Sequence, residues 1–341
     1  MKAIILAAGK GTRMRPLTNQ IPKPLIPICN IPTLIFVINK ILNTGIESIG
    51  LVISPDDLDK FEEFIKKFNL QKKVSTIIQE TPLGVAHAVK TAKNFIQNED
   101  FLLYLGDNLI QDELEIFKNK FQNDPSDALL LLKEIDDPKM FGVAELNSDN
   151  QILGIEEKPK KPKSNLAVTG IYFFKNKILK EINEISFSER GELEITDAIH
   201  NLVKKGIVRG IKLEGWWIDT GERKQILEAN SLIMKEIING AYPDLYNNYE
   251  RNKNYLIGIK SKLKNVKING YAVIGKNVNL NSTTLNNNVS VSSNSNISNS
   301  LISNSIILEQ NDFENFEISN SLVGTKYKKG VNKKIKDIID S

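Results

Sequence analysis

The run Ala3-Ile4-Ile5-Leu6-Ala7 passes directly into Ala8-Gly9-Lys10-Gly11-Thr12-Arg13, and this junction decides the fold. The apolar run has the length of a buried strand, and the turn behind it contains two glycines. In an open α/β sheet, ligands bind beyond the carboxyl ends of the strands. Glycines let backbone N–H groups approach a phosphate closely. The junction therefore predicts the first strand of an α/β sheet, followed by an anion-binding loop.

Two familiar nucleotide-binding loops are excluded at this junction. Met14 stands where the dinucleotide pattern Gly-x-Gly-x-x-Gly has its third glycine, and no Gly-Lys-Ser/Thr follows Gly9 at the Walker spacing. A surface turn with scattered charges is the alternative interpretation. The loop region nevertheless carries hydrogen-bond donors and positive charge suited to a phosphate, at Thr12, Arg13, Arg15 and Lys23.

The composition of the chain limits the class of protein to which it can belong. The chain has 341 residues, of which 41% are hydrophobic and 25% charged, with a formal net charge of +4. These values are ordinary for a soluble globular protein of about two domains, and they give no reason to expect nucleic acid or a membrane as partner. We find no signal-peptide pattern, no apolar run long enough to span a bilayer, and a single cysteine, Cys29. We therefore predict a cytoplasmic protein.

Strand and helix patterns alternate along the first 240 residues. Strands are predicted at 49–53, 74–78 and 101–105, with amphipathic helices between them, and a helix at 222–238 closes the series. Such alternation is typical of a mainly parallel sheet with right-handed crossovers. The prediction is a Rossmann-like α/β domain over residues 1–240, with the sheet flanked by helices.

The composition changes beyond residue 240. We predict a polar linker at 241–263 and a basic tail, compatible with a short helix, at 326–341. Residues 264–325 are rich in Asn and Ser, so a disordered low-complexity segment is one interpretation. Regularly spaced aliphatics favour a small left-handed parallel β-helix of the hexapeptide type, with about three coils. These aliphatics are Val266, Ile274, Leu280, Leu285, Val291, Ile297, Ile302 and Ile307.

Polar residues follow several predicted strands. The amide of Gln79, with Gly84 close behind it, is suited to pairing with the edge of a base, although a solvated turn is the alternative. Asp107 and Asp219 each end a strand and could share one Mg²⁺, or could cap the helices that follow. With two histidines in the chain, any metal is expected to be bound through oxygen.

Charged residues farther along the chain suit a sugar phosphate. Glu157 offers an acceptor for hydroxyl groups and Lys158 a cation, while Arg190 lies in a loop suited to bidentate phosphate contact. Surface charge clusters are the alternative for all three. His87 and His200 fall on helical patterns, and we assign them no role.

The order of these motifs resembles that of the sugar-1-phosphate nucleotidylyltransferases. The resemblance covers residues 1–240 and is greatest to glucose-1-phosphate thymidylyltransferases of the long form, which carry a C-terminal β-helix. Its most specific parts are Gly84-Val85-Ala86-His87-Ala88, Leu105-Gly106-Asp107-Asn108 and the run from Arg190 to Asp197.

The resemblance implies a role for each matching residue. The nucleoside triphosphate is expected at Ala8, Gly9, Gly11, Thr12, Arg13, Lys23, Gln79, Gly84 and Asp107. The sugar phosphate is expected at Asn108, Gly142, Glu157, Lys158, Val168 and Arg190. Mg²⁺ is expected at Asp107 and Asp219. The groups that act on the reacting phosphates are expected to be Arg13, Lys23, Lys158, Asp107 and Asp219.

The implied reaction joins dTTP and glucose 1-phosphate to give dTDP-glucose and pyrophosphate, in an enzyme expected to form a homo-oligomer. One residue departs from the thymidylyltransferase pattern: Pro24 follows Lys23 where those enzymes usually have Gln, so UTP is an alternative substrate. A second acetyltransferase activity is disfavoured because the region after 240 has no histidine to act as base. A silent regulatory subunit is disfavoured because the cations and carboxylates are all retained.

Overall fold

The computed structural model describes residues 1–326, 334–335 and 338–339. The chain divides into two compact units, the first formed by residues 1–9 and 36–219, the second by residues 10–35 and 220 onward. This division differs from the predicted boundary at 240, because the segment after the first strand and the helix that begins at Arg223 make their contacts within the second unit. Most of the predicted tail at 326–341 lies outside the described residues.

The helices follow the predicted apolar periodicity closely. The amphipathic helix predicted between the strands at 74–78 and 101–105 is divided in two at Ala92. None of the helices in the described part of the chain is both long enough and apolar enough to cross a bilayer. The α-helices are α1 (Thr33–Asn43), α2 (Leu58–Lys67), α3 (Val85–Thr91), α4 (Lys93–Ile96), α5 (Leu114–Gln122), α6 (Ile178–Glu184), α7 (Ile195–Lys205) and α8 (Arg223–Ile238).

Apolar strands build the sheet of the first unit. The strands up to residue 219 are β1 (Lys2–Leu6), β2 (Pro27–Ile28), β3 (Ile31–Pro32), β4 (Ile49–Ile53), β5 (Val74–Ile78), β6 (Phe101–Leu105), β7 (Asn108–Ile110), β8 (Ala128–Glu134), β9 (Gly142–Leu146), β10 (Ile152–Glu157), β11 (Leu166–Phe174), β12 (Val208–Lys212) and β13 (Trp217–Asp219). Their main sheet has the order β10-β9-β11-β6-β1-β4-β5, and β8 pairs with β11 and β12.

Strand β1 lies inside the parallel part of this sheet. It pairs in parallel with β4 on one side and with β6 on the other, and β4 pairs in parallel with β5. The sheet becomes antiparallel where β11 joins β6. Because the chain builds outward from β1 in both directions, a crevice opens between the carboxyl ends of β1 and β6. Buried side chains such as Ile4 and Leu103 fill the core below it.

Short parallel strands stack into a left-handed β-helix in the second unit. They form three ladders, β15-β18-β21-β24-β27-β29, β16-β19-β22-β25 and β17-β20-β23-β26-β28, with β14 at the edge of the first. Their bounds are β14 (Tyr249–Arg251), β15 (Tyr255–Gly258), β16 (Lys262–Lys264), β17 (Lys267–Asn269), β18 (Ala272–Ile274), β19 (Asn279–Asn281), β20 (Thr284–Asn286), β21 (Val289–Val291), β22 (Asn296–Ser298), β23 (Leu301–Ser303), β24 (Ile306–Ile307), β25 (Asp312–Glu314), β26 (Glu317–Ser319), β27 (Leu322–Val323), β28 (Lys334–Ile335) and β29 (Ile338–Ile339).

The β-helix begins earlier and is longer than predicted. Strands β14, β15 and β16 occupy part of the stretch assigned to a linker, and complete coils run over 255–269, 272–286, 289–303 and 306–319. The first coil carries four lysines and fewer Asn and Ser residues than the two coils that follow it, so composition alone did not reveal it. Strands β28 and β29 occupy described parts of the predicted tail, where a short helix was considered.

Asparagine ladders join successive coils of the β-helix. Side-chain bonds link Asn269 to Asn286 and Asn277 to Asn294, each pair 17 residues apart, at 3.0 Å. Asn277 and Asn294 also have positive φ angles, a backbone conformation that Asn tolerates better than most residues. The asparagines therefore serve both the corners and the stacking of the coils. Their abundance has a structural cause, and the disordered interpretation is wrong for the described residues.

The aliphatic interior of the coils gives a stability prediction. Ile302 is fully buried, while its neighbour Leu301 is 39% exposed. We expect Ile302→Ala to lower the free energy of unfolding by about 2–5 kcal/mol, since it leaves a cavity in a packed interior. Chemical denaturation of both variants measures this. Leu301→Ala is the matched control, and an equal loss in the two variants would contradict the assignment of Ile302 to the interior.

Candidate active site

A cavity of about 250 Å³ lies at the crevice between β1 and β6. Ala8 and Gly9 follow β1, and Asp107 follows β6, so both strand ends contribute to it. Much of the remaining wall comes from the segment after β5, including Gln79 and Gly84. All of these residues belong to the first unit. Five of the positions predicted to bind a nucleotide therefore line one cavity, at the place where α/β sheets bind ligands.

Backbone bonds hold the wall at Gly84 against the loop before α7. Leu193 N donates to Leu83 O at 2.8 Å, and Ala86 N donates to Leu193 O at 3.1 Å. Gly84 has φ +103°, and a Cβ built on it would lie 2.6 Å from Leu193 O. Both the backbone angle and the close approach require glycine at this position.

Gln79 is fixed in this wall by its side-chain amide. It is 5% exposed, and its Nε2 lies 2.9 Å from Nδ1 of His87 and 3.5 Å from Gly84 O. Sequence reasoning gave His87 no role, since its position on α3 fits a packing residue. The structure places it against the amide predicted to contact the base.

The two predicted metal ligands lie on paired elements: Asp219 is on β13, and Asp107 directly precedes β7, which pairs with β13. Asp219 lies directly opposite Asn108 in this antiparallel pair, where Cβ atoms are about 4.5–5.5 Å apart. Asn108 Nδ2 donates to Asp107 Oδ1 at 2.9 Å, and its Oδ1 accepts a bond from Trp217 Nε1 at 2.8 Å. The buried Asn108 amide therefore links one carboxylate to the strand that carries the other. Trp217 was missed as a supporting residue, although it precedes Asp219 by two positions on the same strand face.

A second group of predicted residues gathers where β9 pairs with β10. Gly142 lies opposite Glu157, and a Cβ built on Gly142 would be 3.3 Å from Glu157 Oε2 and 3.6 Å from Val168 Cγ2. Thr196, which sequence reasoning missed, donates its hydroxyl to Glu157 Oε2 at 3.5 Å. The Cβ position of Gly142 is thus closely bordered by the Thr196 methyl group at 3.1 Å, the Glu157 carboxylate and Val168, a mixed polar and apolar surrounding suited to a sugar.

Arg190 connects this group to the cavity. Its guanidinium lies 3.4 Å from Glu157, 3.2 Å from Glu192 and 3.4 Å from Glu194. Glu192 also lines the cavity. Glu194 is buried and accepts a bond from Ser188 Oγ at 2.9 Å, so it anchors the guanidinium from below. The neighbouring carboxylates Glu192 and Glu194 were not predicted as part of the site.

Lys158 lies directly after Glu157 in a left-handed backbone conformation with φ +44°. Its N–H donates to Phe141 O at 3.0 Å, and the ring of Phe141 meets Trp217 edge-on at 5.0 Å between centroids. The turn that carries Lys158 is therefore tied to the strand that carries Asp219.

The remaining predicted loop residues belong to the second unit. Gly11 has φ +57°, and Thr18 Oγ1 donates to its carbonyl at 2.8 Å. A Cβ built on Gly11 would lie 3.3 Å from Lys23 Cβ, so the two residues are close. Arg13, in the turn that contains Thr12, is exposed and lies 3.5 Å from the exposed Glu222. Ala8 and Gly9, which precede them in the predicted phosphate loop, belong to the first unit.

The family model for nucleotidyl transferases matches residues 2–236, and the chain belongs to this family. It is 41% identical over 239 residues to a glucose-1-phosphate thymidylyltransferase from Streptomyces griseus, a match that covers 69% of this chain and 66% of that enzyme. The resemblance found in the sequence is confirmed.

Solved structures show the same relationship. A Bacillus anthracis structure, assigned as a glucose-1-phosphate thymidylyltransferase in complex with sucrose, matches with a TM-score of 0.64 and 34% identity, over 68% of this chain and 94% of that one. A UDP-glucose pyrophosphorylase in complex with UDP-glucose matches with a TM-score of 0.63 and 26% identity, over 69% of this chain and 98% of that one. The chain is therefore a sugar-1-phosphate nucleotidyltransferase, and its relatives differ in the base of their nucleotide.

The contact at Gly84 gives a first prediction for the site. We expect Gly84→Ala to lower the stability of the protein by about 1–3 kcal/mol, because a side chain is strained at φ +103° and collides with Leu193. Urea denaturation measures the loss. Gly9→Ala is the control, since an added Cβ there meets nothing within 4 Å. Equal stability of the Gly84 variant and the wild type would disprove the constraint.

The second site prediction concerns Glu157. Burial raises the pKa of Glu157 above its ordinary value of 4.5, and the nearby Glu194 carboxylate adds to this, while Lys158 and Arg190 oppose it. The folded protein therefore retains this proton to higher pH than the unfolded chain does, so stability falls as pH rises from about 4.5 through the raised pKa.

The Glu157→Gln variant has no carboxyl group to ionise at this position, so it does not undergo this loss of stability with rising pH. We expect the variant to gain stability relative to wild type as pH rises through that window, while the difference stays constant below it. Thermal unfolding at a series of pH values measures the difference. Glu156→Gln, on the neighbouring exposed residue, serves as control. A pH-independent difference for Glu157→Gln would show that the carboxyl has no raised pKa.

Proposed function

We propose that the protein transfers a thymidylyl group from dTTP to glucose 1-phosphate, which gives dTDP-glucose and pyrophosphate. The observation that carries this proposal is a continuous line of contacts in the first unit. It runs from the cavity of Gln79 and Gly84, through Glu192 and Arg190, to the group around Glu157. One end suits a base and the other a sugar, with a guanidinium suited to a phosphate between them. The catalytic part is proposed to be residues 1–240, in agreement with the family match over 2–236.

The chemistry of the proposed reaction is a displacement at phosphorus. An oxygen of the glucose 1-phosphate forms a bond to the α-phosphorus of dTTP, and the bond from that phosphorus to the bridging oxygen of pyrophosphate breaks. A phosphate monoester is largely ionised at neutral pH, so the nucleophile needs no general base. Positioning two polyanions against their repulsion is then the main task of the protein.

Cations perform this task in the proposed mechanism. Arg190 and Lys158 bind the phosphate of the sugar, and Arg13 and Lys23 bind the triphosphate, where they stabilise the charge that develops on the leaving pyrophosphate. Arg190 exchanges its carboxylate partners for phosphate oxygens when the sugar phosphate binds. Glu157 and Asn108 hold hydroxyl groups of the sugar, while the ring lies against the backbone of Gly142 and the side chain of Val168.

Asp107 and Asp219 are proposed to hold Mg²⁺. Among the described residues, no group of three or more His, Cys, Asp and Glu side chains could hold a metal alone. Two carboxylates near one strand end still fit Mg²⁺, which protein sites bind through one or two carboxylates together with substrate phosphates. Nucleotidyltransferases of this family typically use a divalent metal, which neutralises phosphate charge when bound.

UTP is a second candidate for the nucleotide. Pro24 follows Lys23 where thymidylyltransferases usually have Gln, and one structural relative is complexed with UDP-glucose. Thymine and uracil present the same hydrogen-bonding edge and differ by one methyl group, so a binding wall that accepts one accepts the other unless the methyl is contacted.

The experiment that tests the proposal measures pyrophosphate release with glucose 1-phosphate and Mg²⁺, with dTTP, UTP, GTP, CTP and ATP in parallel. We expect release with dTTP to exceed that with UTP. Equal or faster release with UTP would move the assignment to a uridylyltransferase. No release with any triphosphate would refute both assignments.

The carboxylate assignment gives a separate prediction. We expect Asp107→Asn and Asp219→Asn each to lower turnover by roughly a hundredfold or more, because an amide binds Mg²⁺ weakly, while the fold stays intact. Turnover with Mg²⁺ and circular dichroism measure the two effects. Asp112→Asn is the control, since Asp112 contacts backbone N–H groups of Glu214 and Gly215. Near-normal turnover of either variant would remove that residue from the metal site.

A further inference from the structure

The side chains of His87 and Gln79 form a contact with a definite polarity. Gly84 O, 3.5 Å from Gln79 Nε2, is a carbonyl and can only accept, so the amide atom next to it must be the donating nitrogen. The same nitrogen lies 2.9 Å from His87 Nδ1. This polarity assigns Nδ1 of His87 as the acceptor and places the ring proton on Nε2.

This arrangement determines which amide atom is available to a ligand. Both hydrogens of Gln79 Nε2 are directed at protein acceptors, so Oε1 is the atom left for a ligand in the cavity that Gln79 lines. The opposite rotamer would place Oε1 against Gly84 O, an unfavourable contact between two acceptors. Without the acceptor on His87, only the long bond to Gly84 would hold the orientation.

We propose that His87 is a positioning residue that sets base specificity, by holding Gln79 with its carbonyl oxygen towards the nucleotide. An amide oxygen accepts from the ring N–H of thymine or uracil, whereas the corresponding ring nitrogen of cytosine is itself an acceptor. The inference rests on the proposed function for the placement of a nucleotide base at Gln79. It adds a reason why this base is a thymine or a uracil.

The surroundings of His87 favour a neutral ring that can accept a hydrogen bond. Burial lowers the pKa of His87 below its ordinary value of 6.5, and the positive charge of Lys90 on the same helix lowers it further, so both effects favour the neutral ring. A neutral imidazole has one accepting nitrogen, which the contact with Gln79 requires.

The test compares binding of dUTP and dCTP by the full chain in the presence of Mg²⁺, using calorimetry. These two nucleotides differ only at the edge of the base that Gln79 is proposed to contact. We expect His87→Leu, which removes the acceptor, to lower the dUTP preference at least about tenfold. We expect His87→Gln, whose carbonyl can accept in place of Nδ1, to stay within about threefold of wild type. His200→Leu, at the exposed second histidine, is the control.

Two results would overturn the inference. They are an unchanged preference in His87→Leu, which includes an equal loss of affinity for both nucleotides, and the same loss of preference in His87→Gln. A wild type that binds neither nucleotide would overturn it as well. Because the assay measures binding, it separates the two proposals: preference for dUTP without any pyrophosphate release would refute the proposed function and leave the role of His87 standing.

A spectroscopic measurement covers the case in which His87→Leu fails to fold. With two histidines in the chain, ¹⁵N spectra of the wild type contain two imidazole ring systems, and the His200 variant assigns them. We expect His87 to carry its proton on Nε2, with an unprotonated, hydrogen-bonded Nδ1. A proton on Nδ1 would overturn the inference.

Discussion

The parallel pairing of β1 with both β4 and β6 is the constraint on which the first unit depends. Since the chain builds the sheet outward from β1 in two directions, the loops that follow β1 and β6 diverge, and no crossover connection covers the space between them. That space is the cavity. Glycines border it because the backbone itself forms part of the wall, and Leu193 closes on Gly84 too tightly for any side chain. The chemistry proposed for the protein follows from what this one crevice brings together.

Much of the fold could be predicted from local sequence. Buried strands such as β1 and β6 are nearly pure apolar runs, and the helices show a clear apolar periodicity, so their positions required no tertiary information. The division into units could not be predicted in this way. Within the second unit, Asn30 donates to Val273 O and Val291 O, and the buried Asn230 accepts from Ser290. A single asparagine in a loop or a helix gives no indication of partners more than fifty residues away.

In the candidate site, too, some residues could be predicted from local sequence and others could not. Gln79, Gly84 and Asp107 follow strands directly, and the common edge of a parallel sheet brings such residues together without further information. The residues that support them were missed. His87 has the appearance of a helix packing residue, and Glu194 that of a residue before a helix, because the function of each lies in a contact with another loop. The ion pairs of Arg190 could not be predicted for the same reason, since its three carboxylate neighbours come from two separate segments of the chain.

The asparagine ladders of the β-helix have a consequence for how such a chain can change in length. Each coil repeats the hydrogen bonds of the one before it at a spacing of 17 residues, or 16 between Asn304 and Asn320. A duplicated or deleted coil would therefore meet matching neighbours above and below, with its buried aliphatics still directed inward. Gene segments of about fifty nucleotides could be gained or lost here without a change of fold. The second unit is built so that evolution can adjust its length in whole coils, independently of the cavity in the first.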